Sequence, residues 1–331
     1  MINPDAKLAE NIFDTPEMEP TRNGFGRGLV EAAEKDERII ALCADLTEST
    51  RMEEFAKKFP ERYVEVGVAE QNLAALASGC ANYGKIPFIT SYATFSPGRN
   101  NEQIRTTIAI NNLPVKIVGS HAGVSVGPDG ATHQALEDMA LMRVLPRMTV
   151  LYPCDAEEAQ KATIASVGVN GPVYIRLARE KSPLCTTRDT PFEVGKAIEF
   201  WRGKNPQVAI FATGPLVYNA LLAARELEKE GVGVVVANVH TVKPLDEEVL
   251  VSLARECGAV VTVEEHQIAG GFGSATAELL ARERPTPIEF IGVHDQFGQS
   301  GKPEELIEHY GMGVSYIVAA TKKVVARTHQ K

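Results

Sequence analysis

An acidic residue set at the mouth of an apolar helix is the feature of this chain with the clearest chemical potential. Glu70 follows Val66-Gly67-Val68-Ala69 and opens a run in which Leu73, Ala74, Leu76, Ala77, Cys80 and Ala81 keep a helical period with few charges. Such a helix should pack inside a core or an interface. An ionised carboxylate buried there without a partner costs on the order of several kcal/mol. Glu70 is therefore expected to pair, to shift its pKa upward, or to meet a ligand. The plainer alternative is an acid stabilised by the helix N-terminus.

The elements that must position this acid follow from the pattern around it. The 331 residues suffice for about two domains of ordinary size. A hydrophobic content of 44% and a charged content of 23% are those of a soluble globular protein. The net charge of −9 argues against nucleic acid or an anionic membrane as partner, while leaving room for a local basic pocket. Cys43, Cys80, Cys154, Cys185 and Cys257 are odd in number and include no C-x-x-C pair, so we expect neither a disulfide framework nor a zinc site. The N-terminus lacks an apolar signal core and no stretch approaches a membrane span, which makes the cytoplasm the expected compartment.

Residues 1–20 are polar and without period, and read as an extended arm of the kind that often wraps a partner. From 21 to 185 strands alternate with helices: strands at 38–42, 62–66, 86–90, 115–118, 148–151 and 172–175, helices at 23–35, 51–59, from Glu70, near 100–110, at 135–144 and at 155–167. That alternation predicts a mostly parallel sheet covered on both faces, with ligands outside the carboxyl ends of its strands. A polar, Pro-bounded stretch follows, with the linker placed at 186–191. A second α/β domain occupies 192–331, with strands at 207–212, 232–239 and 259–263, helices at 215–230, 246–257 and 273–283, and closing helices near 302–309 and 313–326. Gly231-Val232-Gly233 and Gly270-Gly271-Phe272-Gly273 do not form G-x-G-x-x-G after a strand and are not read as nucleotide loops.

The run VGVAEQN with GKIPFITSYATF resembles the pyrimidine-binding half of transketolases, which use thiamine diphosphate. Ala44-Asp45-Leu46-Thr47, Gly127-Pro128-Asp129-Gly130-Ala131-Thr132-His133-Gln134, and Val263-Glu264-Glu265-His266 with Gly270-Gly271-Phe272-Gly273 resemble that family in family order. The likeness implies a parallel-sheet pyrimidine-binding domain followed by a transketolase C-terminal-like domain, whose family role is mainly subunit contact. No Gly-Asp-Gly metal motif of the family's diphosphate-binding half occurs in the sequence. The chain thus resembles the small, C-terminal subunit of a split transketolase, and this implies a large-subunit partner, a heterotetramer with two copies of each chain, and a divalent metal, Mg2+, bound mainly by that partner.

Residue by residue, Glu70 matches the family's glutamate that hydrogen-bonds the pyrimidine ring and promotes the imino tautomer. Phe95 matches the aromatic that packs on that ring, core packing being its alternative. The chain then reads Ser96-Pro97-Gly98-Arg99, shorter than the family pattern by about two residues, which leaves Arg99 available to stack on the ring. Asp45 and Leu46 match residues on the cofactor's other side, Asp45 being otherwise a turn or cap. Arg22, 23 residues before Asp45, and Ser49, four after it, match a substrate phosphate ring that His121 and Arg179 complete. Arg supplies a planar fork of donors for phosphate, and His and Ser add directional hydrogen bonds. Asp129 and His133 match the residues that select sugar hydroxyls and the donor's carbonyl side.

The implied reaction is reversible transfer of a two-carbon ketol unit between a phosphorylated ketose and an aldose. Three alternatives remain. A 1-deoxy-D-xylulose-5-phosphate synthase shares the AEQ and G-x-T-H-Q elements but lacks the counterpart of His121. A 2-oxoacid dehydrogenase β subunit has no need of Arg22, Ser49 and Arg179. A non-catalytic assembly chain has no need of Glu70, Asp129 and His133.

Overall fold

The computed structural model describes residues 1–328. In its first half lie β1 (Met18–Pro20), α1 (Thr21–Lys35), β2 (Ile39–Cys43), α2 (Glu53–Lys58), β3 (Tyr63–Glu65), α3 (Glu70–Asn82), β4 (Ile86–Tyr92), α4 (Asn101–Gln103) running on as a π-helical segment Ile104–Ala109, β5 (Lys116–Ser120), α5 (Asp138–Arg143), β6 (Thr149–Leu151), α6 (Ala156–Val167), β7 (Val173–Arg176) and β8 (Lys181–Pro183). Its second half comprises β9 (Ile198–Arg202), β10 (Val208–Ala212), α7 (Leu216–Lys229), β11 (Val234–Asn238), β12 (Thr241–Lys243), α8 (Glu247–Cys257), β13 (Val260–Gln267), α9 (Phe272–Glu283), β14 (Ile288–Val293), α10 (Pro303–His309) and α11 (Val314–Thr328).

These form two consecutive α/β domains. The first sheet has the order β12-β6-β7-β5-β4-β2-β3 and is parallel except at β12, an antiparallel edge strand lent by the second half of the chain. The second sheet, β14-β13-β10-β11-β9, is parallel except at β9. β2, β5, β7, β10 and β11 are buried along their whole length, which is why β2 and β10 read as continuous apolar runs, whereas β5 and β7 carry the buried Lys116 and Arg176 at an end. β9, β12 and β14 are absent from the expectations above. β12 is only three residues long, and β9 and β14 are partly exposed edge strands without a clean apolar run.

Close helix packing sets the entrance of the site. A Cβ on Gly24 would lie 1.8 Å from the Ala156 carbonyl oxygen, and one on Gly28 would lie 2.8 Å from that of Gln160. Only glycine lets the backbone of α1 approach α6 this closely, and the approach fixes Arg22 in the first turn of α1. At the N-terminus of α6, buried Asp155 accepts the Glu158 N–H as a cap and also binds the N–H groups of Cys185 and Thr186, so the segment that leaves the first domain is anchored there.

The N-terminal segment lies on its own chain. The Asn3 N–H donates to the Phe200 carbonyl at 3.0 Å, and Ala6 and Ile12 are fully buried in the core of the second domain. β1 pairs with β8 (Lys181–Pro183), a strand pair absent from the expectations above. Asn238 of β11 donates to Glu158 at 2.7 Å, a further tie between the domains.

Helix α3 buries Glu70, Leu73, Ala74, Ala77, Ser78 and Ala81, while its opposite face leaves Ala75, Leu76 and Gly79 exposed in the single chain. An apolar helix with one face uncovered fits the expectation of an interface as well as that of a core.

Candidate functional site

Five candidate residues follow the carboxyl ends of three adjacent parallel strands. Asp45 and Leu46 come just after β2, Phe95 and Arg99 just after β4, and His121 immediately after β5; Arg179 follows β7, the next strand across. This is the rim at which open parallel sheets hold ligands.

Glu70 is 2% exposed at the first position of α3. Its Oε2 accepts a hydrogen bond from Arg99 Nη1 at 2.8 Å, so within this chain the acid is paired. The same guanidinium lies over the Phe95 ring, 4.7 Å from its centroid. Asn100 supports the arrangement from behind: its Nδ2 donates to the Glu70 carbonyl at 2.9 Å and to Ser96 Oγ at 3.1 Å. Phe95 belongs to an aromatic cluster. Tyr92 stacks on His121 at 3.9 Å and neighbours Phe95 at 6.0 Å, while His133 meets Phe95 edge-on at 5.4 Å. Glu70, Phe95, Arg99 and His133 are thereby brought together.

A second group gathers around His121, a left-handed residue at φ 56° and 2% exposed. Arg22 Nη1 approaches His121 Nε2 at 3.1 Å and donates to the Ser49 backbone carbonyl at 3.0 Å. A guanidinium has only donors, so Nε2 accepts and Nδ1 carries the proton, donating to Ser120 Oγ at 2.9 Å. Burial, followed by the charges of Arg22 and Arg179, pushes His121 down to about 3. The imidazole is therefore neutral at physiological pH and serves to aim Arg22 rather than to add a positive charge. Arg179 Nη1 donates to the Val126 carbonyl at 2.6 Å, and its charge acts on both Arg22 and His121. Ser49 takes part through its backbone rather than its hydroxyl.

Asp45 and Leu46 stand apart from both groups. Asp45 is exposed, adopts φ 58°, and its N–H donates to Glu65 Oε1 at 2.7 Å, the same oxygen that accepts from Gly67 N–H. Leu46 leans on the core of the first domain. Asp129 is exposed on the loop from Val124 to Gln134.

Arg51, which the sequence did not single out, and three motif residues whose contacts it did not show complete the picture. Arg51, left-handed at φ 64°, adds its charge to the Arg22–His121 group and donates from Nε to Asn23 Oδ1 at 2.8 Å. The second domain holds the Val124–Gln134 loop. Glu265 Oε1 accepts the Ser125 N–H at 2.6 Å, and Gln134 Nε2 donates to the carbonyls of Val124, Gly127 and Gln299. The neighbouring Glu264 accepts the N–H groups of Phe272 and Gly273, each at 2.7 Å, so the Gly270–Gly273 run is a helix start closed by the protein's own carboxylate. Burial raises Glu264 to about 7. Nothing in the local pattern of Val263–His266 announced these contacts, since each depends on a partner more than a hundred residues away or across a turn.

Comparison with known proteins places these observations. Residues 18–183 match the model of the transketolase pyrimidine-binding domain and residues 198–317 that of the transketolase C-terminal domain. The chain is 42% identical over 299 residues to the 6-deoxy-6-sulfo-D-fructose transketolase subunit SqwH of Clostridium sp. (strain MSTE9), covering 90% of this chain and 92% of that one. It is 40% identical to a putative transketolase C-terminal section of Methanocaldococcus jannaschii, over 88% of this chain and 92% of the other. Among solved structures, a split-gene transketolase described as an inactive beta4 tetramer superposes with a TM-score of 0.87 at 45% identity, covering 93% of this chain and 98% of that chain. The chain belongs to the transketolase family, joining its pyrimidine-binding domain to its C-terminal domain.

Proposed function

We propose that this chain is the small subunit of a split transketolase and, with a large subunit, transfers a two-carbon ketol unit reversibly between a ketose phosphate and an aldose phosphate. The observation that carries the reading is Glu70: a buried carboxylate at the start of an apolar helix, beside the half-buried face of Phe95, whose partner is a flat, N–H-bearing cation. A flat nitrogen heterocycle fits the same demands, an acceptor at its edge and an aromatic face below. Thiamine diphosphate, when bound, supplies the thiazolium carbon that carries the two-carbon unit.

This chain's residues do the rest. Glu70 hydrogen-bonds a ring nitrogen of the pyrimidine, and low surrounding polarity strengthens that bond. Phe95 supports the ring face, while Asp45 and Leu46 line the cofactor's other side. Arg22, aimed by His121, lies with Ser49 and Arg179 around the terminal anion of the sugar, where a planar fork binds a tetrahedral oxyanion bidentately. Asp129 and His133 select hydroxyls and the carbonyl end. The described residues include no group of three or more His, Cys, Asp or Glu side chains arranged to hold a metal ion. We assign the divalent metal, Mg2+, to the large subunit, in a cytoplasmic heterotetramer with two copies of each chain. The uncovered face of α3 supports that assembly. No described helix is long and apolar enough to cross a membrane.

A second reading concerns the substrate. The arginines around His121 suit a sulfonate as well as a phosphate, and a relative is named for 6-deoxy-6-sulfo-D-fructose. Comparing kcat/KM for that sugar and for fructose 6-phosphate decides between them.

The test of the main reading is reconstitution. Purified alone, the chain should show no ketol transfer and weak cofactor binding, and the large subunit should restore both. Tight, magnesium-dependent binding of thiamine diphosphate to this chain alone, measured by calorimetry, would refute the split site.

A further inference from the structure

Arg99 makes the two contacts that the proposed pyrimidine needs, and it makes them from within the chain. Its Nη1 donates to Glu70 Oε2 at 2.8 Å, and its guanidinium carbon stands 4.7 Å from the centroid of Phe95. A guanidinium is planar, carries N–H donors along its edge and offers a flat face, so it satisfies a carboxylate and an aromatic ring at once. Both contacts fall on the groups that would receive the pyrimidine. We propose that Arg99 is a displaceable plug that fills the aminopyrimidine seat until the cofactor arrives. This inference rests on the reading of Glu70 and Phe95 given above.

The exposure of the pair fits release. Glu70 is buried, but the Arg99 side chain is 49% exposed, so the guanidinium can pass into water once another donor takes its place on Glu70. The proposed exchange needs only that side chain to move. Its backbone is fixed by the bond from Arg99 N–H to the Phe95 carbonyl at 2.9 Å, and a Cβ on Gly98 would lie 2.0 Å from the Thr94 carbonyl oxygen, which holds the turn to glycine. On the far side, Asn100 is buried and bonded to the Glu70 carbonyl. The plug also explains how a chain separated from its cofactor tolerates a buried acid: Arg99 compensates a charge that would otherwise stand unpaired. Arg99 therefore stabilises the separate chain and opposes cofactor binding, two effects that a purely structural residue would not combine.

The experiment measures thiamine diphosphate binding by calorimetry, with magnesium, on the complex reconstituted with its large subunit, for wild type, Arg99→Gln, Glu70→Gln and Phe95→Ala. Thermal unfolding of each free chain accompanies it. Arg99→Gln should lower Kd about three- to tenfold, the size of a half-exposed charged contact, while lowering the Tm of the free chain. Glu70→Gln and Phe95→Ala should raise Kd. If Arg99→Gln leaves Kd unchanged or raises it while the other two weaken binding, the plug is wrong and the pyrimidine seat stands. If Glu70→Gln and Phe95→Ala leave Kd unchanged as well, the seat itself is misplaced and the plug falls with it.

Discussion

Removing the Glu265 side chain tests whether the second domain shapes the sugar site. Glu265 lies on β13 and is 1% exposed, and its Oε1 is the acceptor for Ser125 N–H at 2.6 Å. That bond ties down the loop from Val124 to Gln134, on which Asp129 and His133 stand, and whose Val126 carbonyl holds Arg179. A hydrogen bond to a charged group contributes about 1.5–3 kcal/mol, equivalent to roughly 10- to 150-fold in an equilibrium constant. Gln134 keeps the other side of the loop bonded to Gln299, so Glu265→Ala should sit low in that range. We expect kcat/KM for a ketose phosphate to fall about 10- to 50-fold in the reconstituted complex. Binding of thiamine diphosphate should change little, because Glu70 opens α3 and Phe95 follows β4, both outside that loop. Glu265→Gln retains an acceptor oxygen and should lose no more than about fivefold, as for exchange of a charged for a neutral hydrogen bond. Steady-state kinetics, paired with calorimetry of cofactor binding, makes the comparison. An unchanged kcat/KM in Glu265→Ala, or an equal loss in cofactor affinity, would show that the contact supports the fold and not the sugar loop.

Glu70→Gln should preserve assembly, judged by sedimentation, yet lower turnover by about 10²–10⁴-fold, since volume is kept and the ionisable group is lost; near-normal turnover would remove Glu70 from the chemistry. Arg179→Ala should cost roughly 10- to 150-fold in kcat/KM for phosphorylated sugars while sparing short unphosphorylated aldehydes, and an equal loss for both would withdraw it from the anion site. Lys116 supplies a pH test of the core. It is fully buried, its ammonium donates to the carbonyls of Val169 and Gly171, and burial lowers its pKa to about 7. Between about pH 7 and its ordinary value of 10.5 the unfolded chain holds a proton that the folded chain has released, so this residue makes stability rise with pH. Lys116→Met should abolish that rise, favouring the variant by about 2–3 kcal/mol more at pH 6 than at pH 9 in urea unfolding, whereas parallel pH profiles would contradict it.

The two-domain α/β plan was legible in the sequence because parallel strands buried on both faces read as apolar runs separated by amphipathic helices. β2 and β10 show it plainly. Edge strands carry no such signal, and β12 shows why: three residues far along the chain complete a sheet begun by the first domain, and only the packing of the two domains selects them. Glu70 was legible too, because an acid opening an apolar helix is costly wherever that helix packs. Its partner was not, since the sequence offered Arg99 only as a group that could stack on the ring, and the turn after β4 brings it to 2.8 Å from Glu70. The same holds for His121. Its place after a strand is local, but its neutrality arises from burial and from the charges of Arg22 and Arg179, which stand beside it only in the fold. Glu264 and Glu265 are adjacent in the sequence, and tertiary structure alone divides their work, one closing the start of α9 and the other holding the Val124–Gln134 loop. Residue type and period determine which groups are costly to bury; which partner offsets that cost is decided by contacts between segments far apart in the chain.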